Sequence, residues 1–161
     1  MKNMATLEKA IRIAAKAHEG SRDHHGAAYI LHPLRLMMAV EDENAKIVAV
    51  LHDVVEDTPT TLEDLRDEGF ADAVLAALDC VTHREGERYA DYVARCKRNP
   101  LALAVKLADL RDNSRIDRAI LRDEKVEKDT KRWRRYVLSF QYLRDEIDED
   151  EYRERMKSAE K

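Results

Sequence analysis

The chain has 161 residues, 44% of them hydrophobic and 39% charged, with a formal net charge of -4. That balance suits one globular helical domain with a real core, and it excludes intrinsic disorder and a mainly nucleic-acid-binding surface. Only four Gly and three Pro punctuate it, which favours long helices over many turns. Taken in order, Leu7, Ala10, Ile11, Ala14, Ala15 and Ala17 form an apolar stripe behind the candidate cap Thr6. Residues 19–29 are polar and predict a loop. A helix follows His32-Pro33 and carries Leu34, Leu36, Met37 and Met38. The next starts near Glu43 or Asn44, runs through His52, and is broken at Thr58-Pro59. Thr61 with Asp64 makes a short capping arrangement. Further helices are predicted over about Ala71 to Val81 and Tyr89 to Lys97. Asn99 caps another, opened by Pro100 and reaching Asp109. The last begins after about Arg122 and carries Trp133, Val137, Phe140 and Leu143, with Trp133, Phe140 and Tyr142 assigned to the core. Beyond Arg144 the residues are almost all charged, which predicts an exposed helical tail that frays.

The pattern predicts an all-α fold of about seven or eight helices, as a single domain over residues 1–161 with the charged tail from about 144. No apolar run is long enough to span a membrane, and Met1-Lys2-Asn3-Met4 leads straight into an amphipathic helix without a signal-peptide pattern. Cys80 and Cys96 lie far apart with no Cys-x-x-Cys spacing and read as reduced thiols. A cytoplasmic protein is the expectation.

The most informative run is Val50-Leu51-His52-Asp53-Val54-Val55-Glu56-Asp57-Thr58. A His-Asp pair embedded among Ile47, Val48, Val50, Leu51, Val54 and Val55 is costly to bury unless it is paired or bound to a metal. The bland alternative is a partly buried helix with a stray salt bridge. On a continuous helix, His52 shares a face with Glu56 and Asp53 with Asp57. Two other segments offer ligands in apolar surroundings: His32 before Pro33, and Asp109 after Val105-Lys106-Leu107-Ala108. His32, His52, Asp53 and Asp109 make a mixed nitrogen and oxygen set, suited to Mn²⁺, Fe²⁺ or Mg²⁺. His18 and His83 are set aside as ligands.

The order His32, His52-Asp53, Asp109 resembles the HD superfamily of metal-dependent phosphohydrolases. Tyr29-Ile30-Leu31-His32-Pro33-Leu34, Leu51-His52-Asp53-Val54-Val55-Glu56-Asp57-Thr58 and Val105-Lys106-Leu107-Ala108-Asp109-Leu110-Arg111-Asp112-Asn113 narrow the resemblance to the hydrolase domain of RelA/SpoT-type alarmone enzymes. It covers about residues 5–140. It implies an HD-domain helical bundle that removes the 3′-pyrophosphate of guanosine tetra- or pentaphosphate, usually with Mn²⁺, and a small stand-alone hydrolase without the synthetase domain. The implied partner is a small phosphorylated nucleotide, not nucleic acid or membrane, and a homo-oligomer is left open.

One loop departs from that family. Where it carries an Arg-Lys pair that meets substrate phosphates, Gly20-Ser21-Arg22-Asp23-His24-His25-Gly26 has Asp23 and His24, with Arg22 one position early. A fixed negative charge beside a pyrophosphate is unfavourable. His24 and His25 either donate to phosphate when protonated or form a solvated polar loop. The family also often has His in place of Asp112. Glu56 and Asp57 are the candidate proton acceptors. Asn113 is positioned for a sugar hydroxyl or phosphate, and Lys106 either touches phosphate or snorkels at the surface. Lys131, Arg132, Arg135 and Tyr136 are offered as part of a phosphate or ribose pocket; Tyr136 matches a tyrosine the family uses there, while Arg134 and Arg135 also read as a solvated basic face. Two other functions compete: a hydrolase of another phosphorylated nucleotide or NADPH, and a non-catalytic nucleotide-binding domain.

Overall fold

Asp42, Thr6, Thr61 and Asn99 each turn a side-chain oxygen onto backbone N–H groups at a helix start, and these four caps fix where the chain enters helix. The computed structural model describes residues 4–118 and 123–160. Its helices are α1 Leu7–Ala17, α2 Leu31–Ala39, α3 Glu43–Leu51, α4 Val54–Asp57, α5 Leu62–Asp67, α6 Asp72–Val81, α7 Tyr89–Lys97, α8 Pro100–Asn113, α9 Val126–Leu143 and α10 Glu149–Glu160. Among the described residues there is no strand, only an isolated antiparallel bridge between Arg22 and Ala28 inside the predicted loop. No described helix is long and apolar enough to cross a membrane. The expected all-α bundle is observed, with eight helices of nine residues or more among the described residues. The predicted start of the last long helix, near Arg122, lies outside the described residues.

The core is built around α3 and α8. α3 is apolar nearly all round: Ala45, Ile47, Val48, Ala49, Val50 and Leu51 are all buried. A helix of that kind needs neighbours on every side, and α1, α2, α6 and α8 supply them. α8 packs on α2, α3, α6, α7 and α9. It buries Lys106, Asp109 and Asp112 along with Ala102, Val105, Ala108 and Leu110. Three charged groups inside a packed helix need compensating partners, and those partners form the site described below.

Two predicted features are corrected. The helix through His52 is not continuous to Thr58. α3 stops at Leu51, His52 is its C-cap, and α4 is a separate turn preceded by Asp53. His52 and Asp53 both keep right-handed helical dihedrals, so the break is a small change of direction that composition does not signal. The charged C-terminal stretch is not a fraying tail. Tyr152, Met156 and Ala159 are buried at helical spacing, and α10 packs against α9 and α7. The Tyr152 ring stacks on Tyr142 at 4.5 Å, and its hydroxyl lies 2.9 Å from Ser139 Oγ.

Candidate metal centre and cavity

Three segments far apart in sequence deliver the ligands. His32 sits in the first turn of α2, His52 at the C-terminal end of α3, and Asp109 in the third turn of α8. Each offers one donor atom, and the three atoms lie within 4.8 Å of one another. His52 Nδ1–H donates to the Ala49 carbonyl at 2.8 Å, and His32 Nδ1–H donates to Asp112 Oδ2 at 2.7 Å. Both rings are thereby turned so that Nε2 faces the cluster, as orienting partners do at metal sites. His32 Nε2 is 3.4 Å from Asp109 Oδ1. Asp53 Oδ2 stands beside the group, 3.0 Å from His52 Nε2 and 3.9 Å from His32 Nε2, and accepts the Tyr29 hydroxyl at 2.5 Å. Buried imidazoles and carboxylates at this spacing can hold a divalent cation.

The electrostatics follow from burial and pairing. Burial opposes charge on His32, but the hydrogen bonds it donates to Asp109 and Asp112 outweigh it and raise its pKa to about 9. His52 is also raised, its desolvation overcome by Asp53. Against their own burial, Asp53 is held down to about 2 by His52, and Asp109 far below the carboxylate range by Lys106 and the two histidines. Lys106 is buried and gives Nζ–H to Asp109 Oδ2 at 2.7 Å, with the Tyr92 ring 4.9 Å away. It is therefore not a snorkelling surface lysine. Asn113 Nδ2 donates to Asp109 Oδ1 at 2.6 Å, so both Asp109 oxygens are engaged. Glu56 and Asp57 run the other way. Desolvation raises both, and the neighbouring Asp53 charge adds to it. Glu56 Oε2 accepts the His83 backbone N–H at 2.9 Å.

The cluster forms the floor of a cavity of about 940 Å³. Arg22, His24, Glu56, Lys106, Asn113 and Tyr136 all line it, as do His32, His52, Asp53 and Asp109. Asp57 does not line it. On α9, Arg132 lines the cavity while paired to Asp129 at 3.1 Å. Lys131 instead pairs with Glu127 at 2.8 Å, and Arg135 lies over the Tyr89 ring at 5.3 Å. His18 is buried against Tyr29 outside the donor group, and His83 lines the cavity without joining it.

Trp133 corrects the core assignment. It is 46% exposed and lines the cavity, because the buried face of α9 runs through Leu138, Ser139, Tyr142 and Leu143 instead. Several residues gained no role from the sequence. Tyr29 holds Asp53, Asp112 orients His32, and Arg35 grips Asp112 with Nε at 2.7 Å and Nη2 at 2.9 Å. Arg118 reaches both Asp112 and Asp23.

No family model matches the sequence. The GTP pyrophosphokinase of Streptomyces coelicolor is 31% identical over 135 residues, 76% of this chain and 16% of that protein. Guanosine-3′,5′-bis(diphosphate) 3′-pyrophosphohydrolases are similar too. That of Haemophilus influenzae is 34% identical over 118 residues, 64% of this chain and 17% of its own length. That of Aquifex aeolicus is 28% identical over 134 residues, 76% and 19%. The chain thus spans under a fifth of the curated relatives it matches. A solved structure of a metazoan ortholog of SpoT, described as hydrolyzing ppGpp, superposes with a TM-score of 0.67 at 22% identity, covering 99% of this chain and 96% of that one. The likeness to that structure is one of fold, and the sequence matches give the kinship: the chain is a homologue of the hydrolase region of the RelA/SpoT enzymes.

Proposed function

We propose that this chain is a metal-dependent phosphohydrolase of phosphorylated nucleotides, acting on the 3′-pyrophosphate of guanosine tetraphosphate (ppGpp) or a close analogue. The observation that carries the reading is the buried His32, His52 and Asp109 donor group at the floor of a cavity lined by both acids and bases. Its support from relatives is that several similar proteins are named as 3′-pyrophosphohydrolases. His32, His52 and Asp109, with Asp53 beside them, would hold the cation, and Mn²⁺ is our first assignment for a mixed imidazole and carboxylate set. Bound there, it would supply Lewis acidity toward a phosphoryl oxygen and make water easier to deprotonate.

The chain's own groups supply the rest. Glu56 lines the cavity with a raised pKa and is the proton acceptor we assign, because a base works best when its affinity for the proton approaches ambient pH. Water adds to the phosphorus, the 3′ ester bond breaks, pyrophosphate leaves, and the 3′ oxygen ends protonated. Asn113 holds Asp109 in place, and Tyr136 and half-exposed Trp133, which line the cavity, are the aromatic groups we assign to the sugar and base. Asp23 favours a second reading, in which another phosphorylated nucleotide is the better substrate. Its carboxylate stands where the resembled family places a cation, and loss of charge-assisted contacts to phosphate weakens binding.

The test is a panel of phosphorylated nucleotides, ppGpp and NADPH included, assayed with Mn²⁺-loaded protein. Mn²⁺-dependent release of pyrophosphate from ppGpp is expected. Release of phosphate from a different member selects the second reading. Metal-loaded protein inert toward the whole panel would overturn the catalytic assignment in favour of a nucleotide-binding role.

A further inference from the structure

Asp23 is well used in this fold, and its use involves Arg118. Its Oδ1 accepts the backbone N–H groups of His25 at 2.9 Å and Ala27 at 3.0 Å, which closes the loop. Its Oδ2 faces Arg118 Nη1 at 3.3 Å. The loop is tied to the same residue again, through His25 Nε2 to the Arg118 carbonyl at 3.2 Å. Arg118 also places Nε 3.2 Å from Asp112 Oδ2. Asp112, however, already has the Arg35 fork and the His32 imidazole. Arg118 thus shares Asp112 with two other groups, whereas the described contacts give Asp23 no other cationic side chain.

Of the other cavity-lining Lys and Arg side chains, Lys106 is committed to Asp109 and Arg132 to Asp129, while exposed Arg22 gives Nη1–H to the Gly26 carbonyl at 2.8 Å within its own loop. Arg118 differs from them. Its contact to Asp23 is long for a charge-assisted bond, which ordinarily measures about 2.7–2.9 Å. A phosphoryl group carries more charge and more acceptor oxygens than one carboxylate oxygen, and it matches the guanidinium fork. Asp23 can yield Arg118 without unfolding the loop, because the loop hangs on the other oxygen.

We propose that Arg118 is the cation that receives a phosphoryl group in this cavity, and that Asp23 is the ligand it exchanges for phosphate. The guanidinium that the resembled family has at the position of Asp23 is then supplied from beyond the end of α8, with Asp23 holding it in place and setting how much phosphate charge is needed to release it. The inference rests on the reading that a phosphorylated ligand occupies this cavity.

The probe is inorganic pyrophosphate, titrated calorimetrically into Mn²⁺-loaded protein. Asp23→Asn keeps the Oδ1 acceptor and removes the charge facing Arg118, so pyrophosphate should bind about tenfold tighter. Arg118→Gln should bind at least about tenfold more weakly, with metal content and melting temperature close to wild type. In the double variant the gain from Asp23→Asn should vanish, because that gain acts through Arg118. A purely structural strap predicts that both single variants bind more weakly, and that result would overturn the proposal. So would a gain from Asp23→Asn that survives in the double variant, since it would be a general field effect. Should Arg118→Gln fail to fold, Arg118→Lys, which keeps charge but loses the fork, should bind more weakly than wild type, and the opposite sign of Asp23→Asn still decides. Binding of pyrophosphate does not require turnover, so failure of the hydrolase reading and failure of this one are separable.

Discussion

At the scale of single residues, Asp112 makes His32 a directed donor by holding Nδ1–H, and with Asp109 it raises the imidazole to about 9. A raised folded-state pKa stabilises the fold while both states are protonated, below about 6.5, and that contribution is lost as pH climbs through the folded value. Protein stripped of metal by a chelator should therefore lose stability between pH 6.5 and 9, by at most about 3 kcal/mol for a shift of this size. Thermal melts across that range check it, and a flat profile would show that His32 is not so paired. Glu56 and Asp57 are distinguishable in the same way. Only Glu56 lines the cavity. Glu56→Gln should retain metal and lower kcat by roughly 10²–10⁴-fold, while Asp57→Asn should change it less than about tenfold. Wild-type turnover in Glu56→Gln would move the proton acceptor elsewhere.

At the scale of elements, α10 shows how a packed helix hides among charges. Tyr152, Met156 and Ala159 are spaced four and three residues apart between acidic and basic side chains, most of which meet their partners on the helix surface. Met156→Ala should destabilise the fold by about 2–5 kcal/mol in denaturant unfolding, as large-to-small changes in packed sites do. A loss below about 0.5 kcal/mol would mean that the helix contributes little. The same element marks the limit of reading a sequence. Helix starts at Thr6, Thr61 and Asn99 were legible because a cap acts within three residues. His32, His52 and Asp109 stood out because each interrupts a local apolar run. Arg35, Asp112 and Arg118 did not, since their partners come from other elements: Arg35 and Asp112 are 77 residues apart, and Arg118 and Asp23 are 95 apart. Trp133 and Phe140, seven apart, share a helical face, yet the buried hydrophobic residues of α9 begin only at Leu138.

At the scale of the whole molecule, the donor group joins regions that meet through apolar packing and through the Arg35–Asp112 pair between α2 and α8. α2, the α3–α4 junction and α8 each contribute, and α8 in turn touches α6, α7 and α9. A cation bound there would tie the N-terminal half of the chain to the C-terminal half, and it would bind the folded state alone, because these ligands are not assembled in the unfolded chain. Linkage then fixes the size of the effect. At a free cation concentration of about 100 times Kd the stabilisation is about 2.7 kcal/mol. For a chain of this length each kcal/mol shifts the midpoint by about 2–4 °C. Adding Mn²⁺ to chelator-treated and desalted protein should raise the melting temperature by roughly 5–11 °C. Asp109→Asn should remove most of that rise, since the ligand count falls and the remaining amide oxygen is a weaker donor to a hard cation. The rise should also cancel the alkaline loss expected for the stripped protein, because metal and proton compete for the same His32 nitrogen. An equal Mn²⁺-induced rise in Asp109→Asn would place the ion elsewhere on this acidic surface, and the three-ligand centre would have to be abandoned.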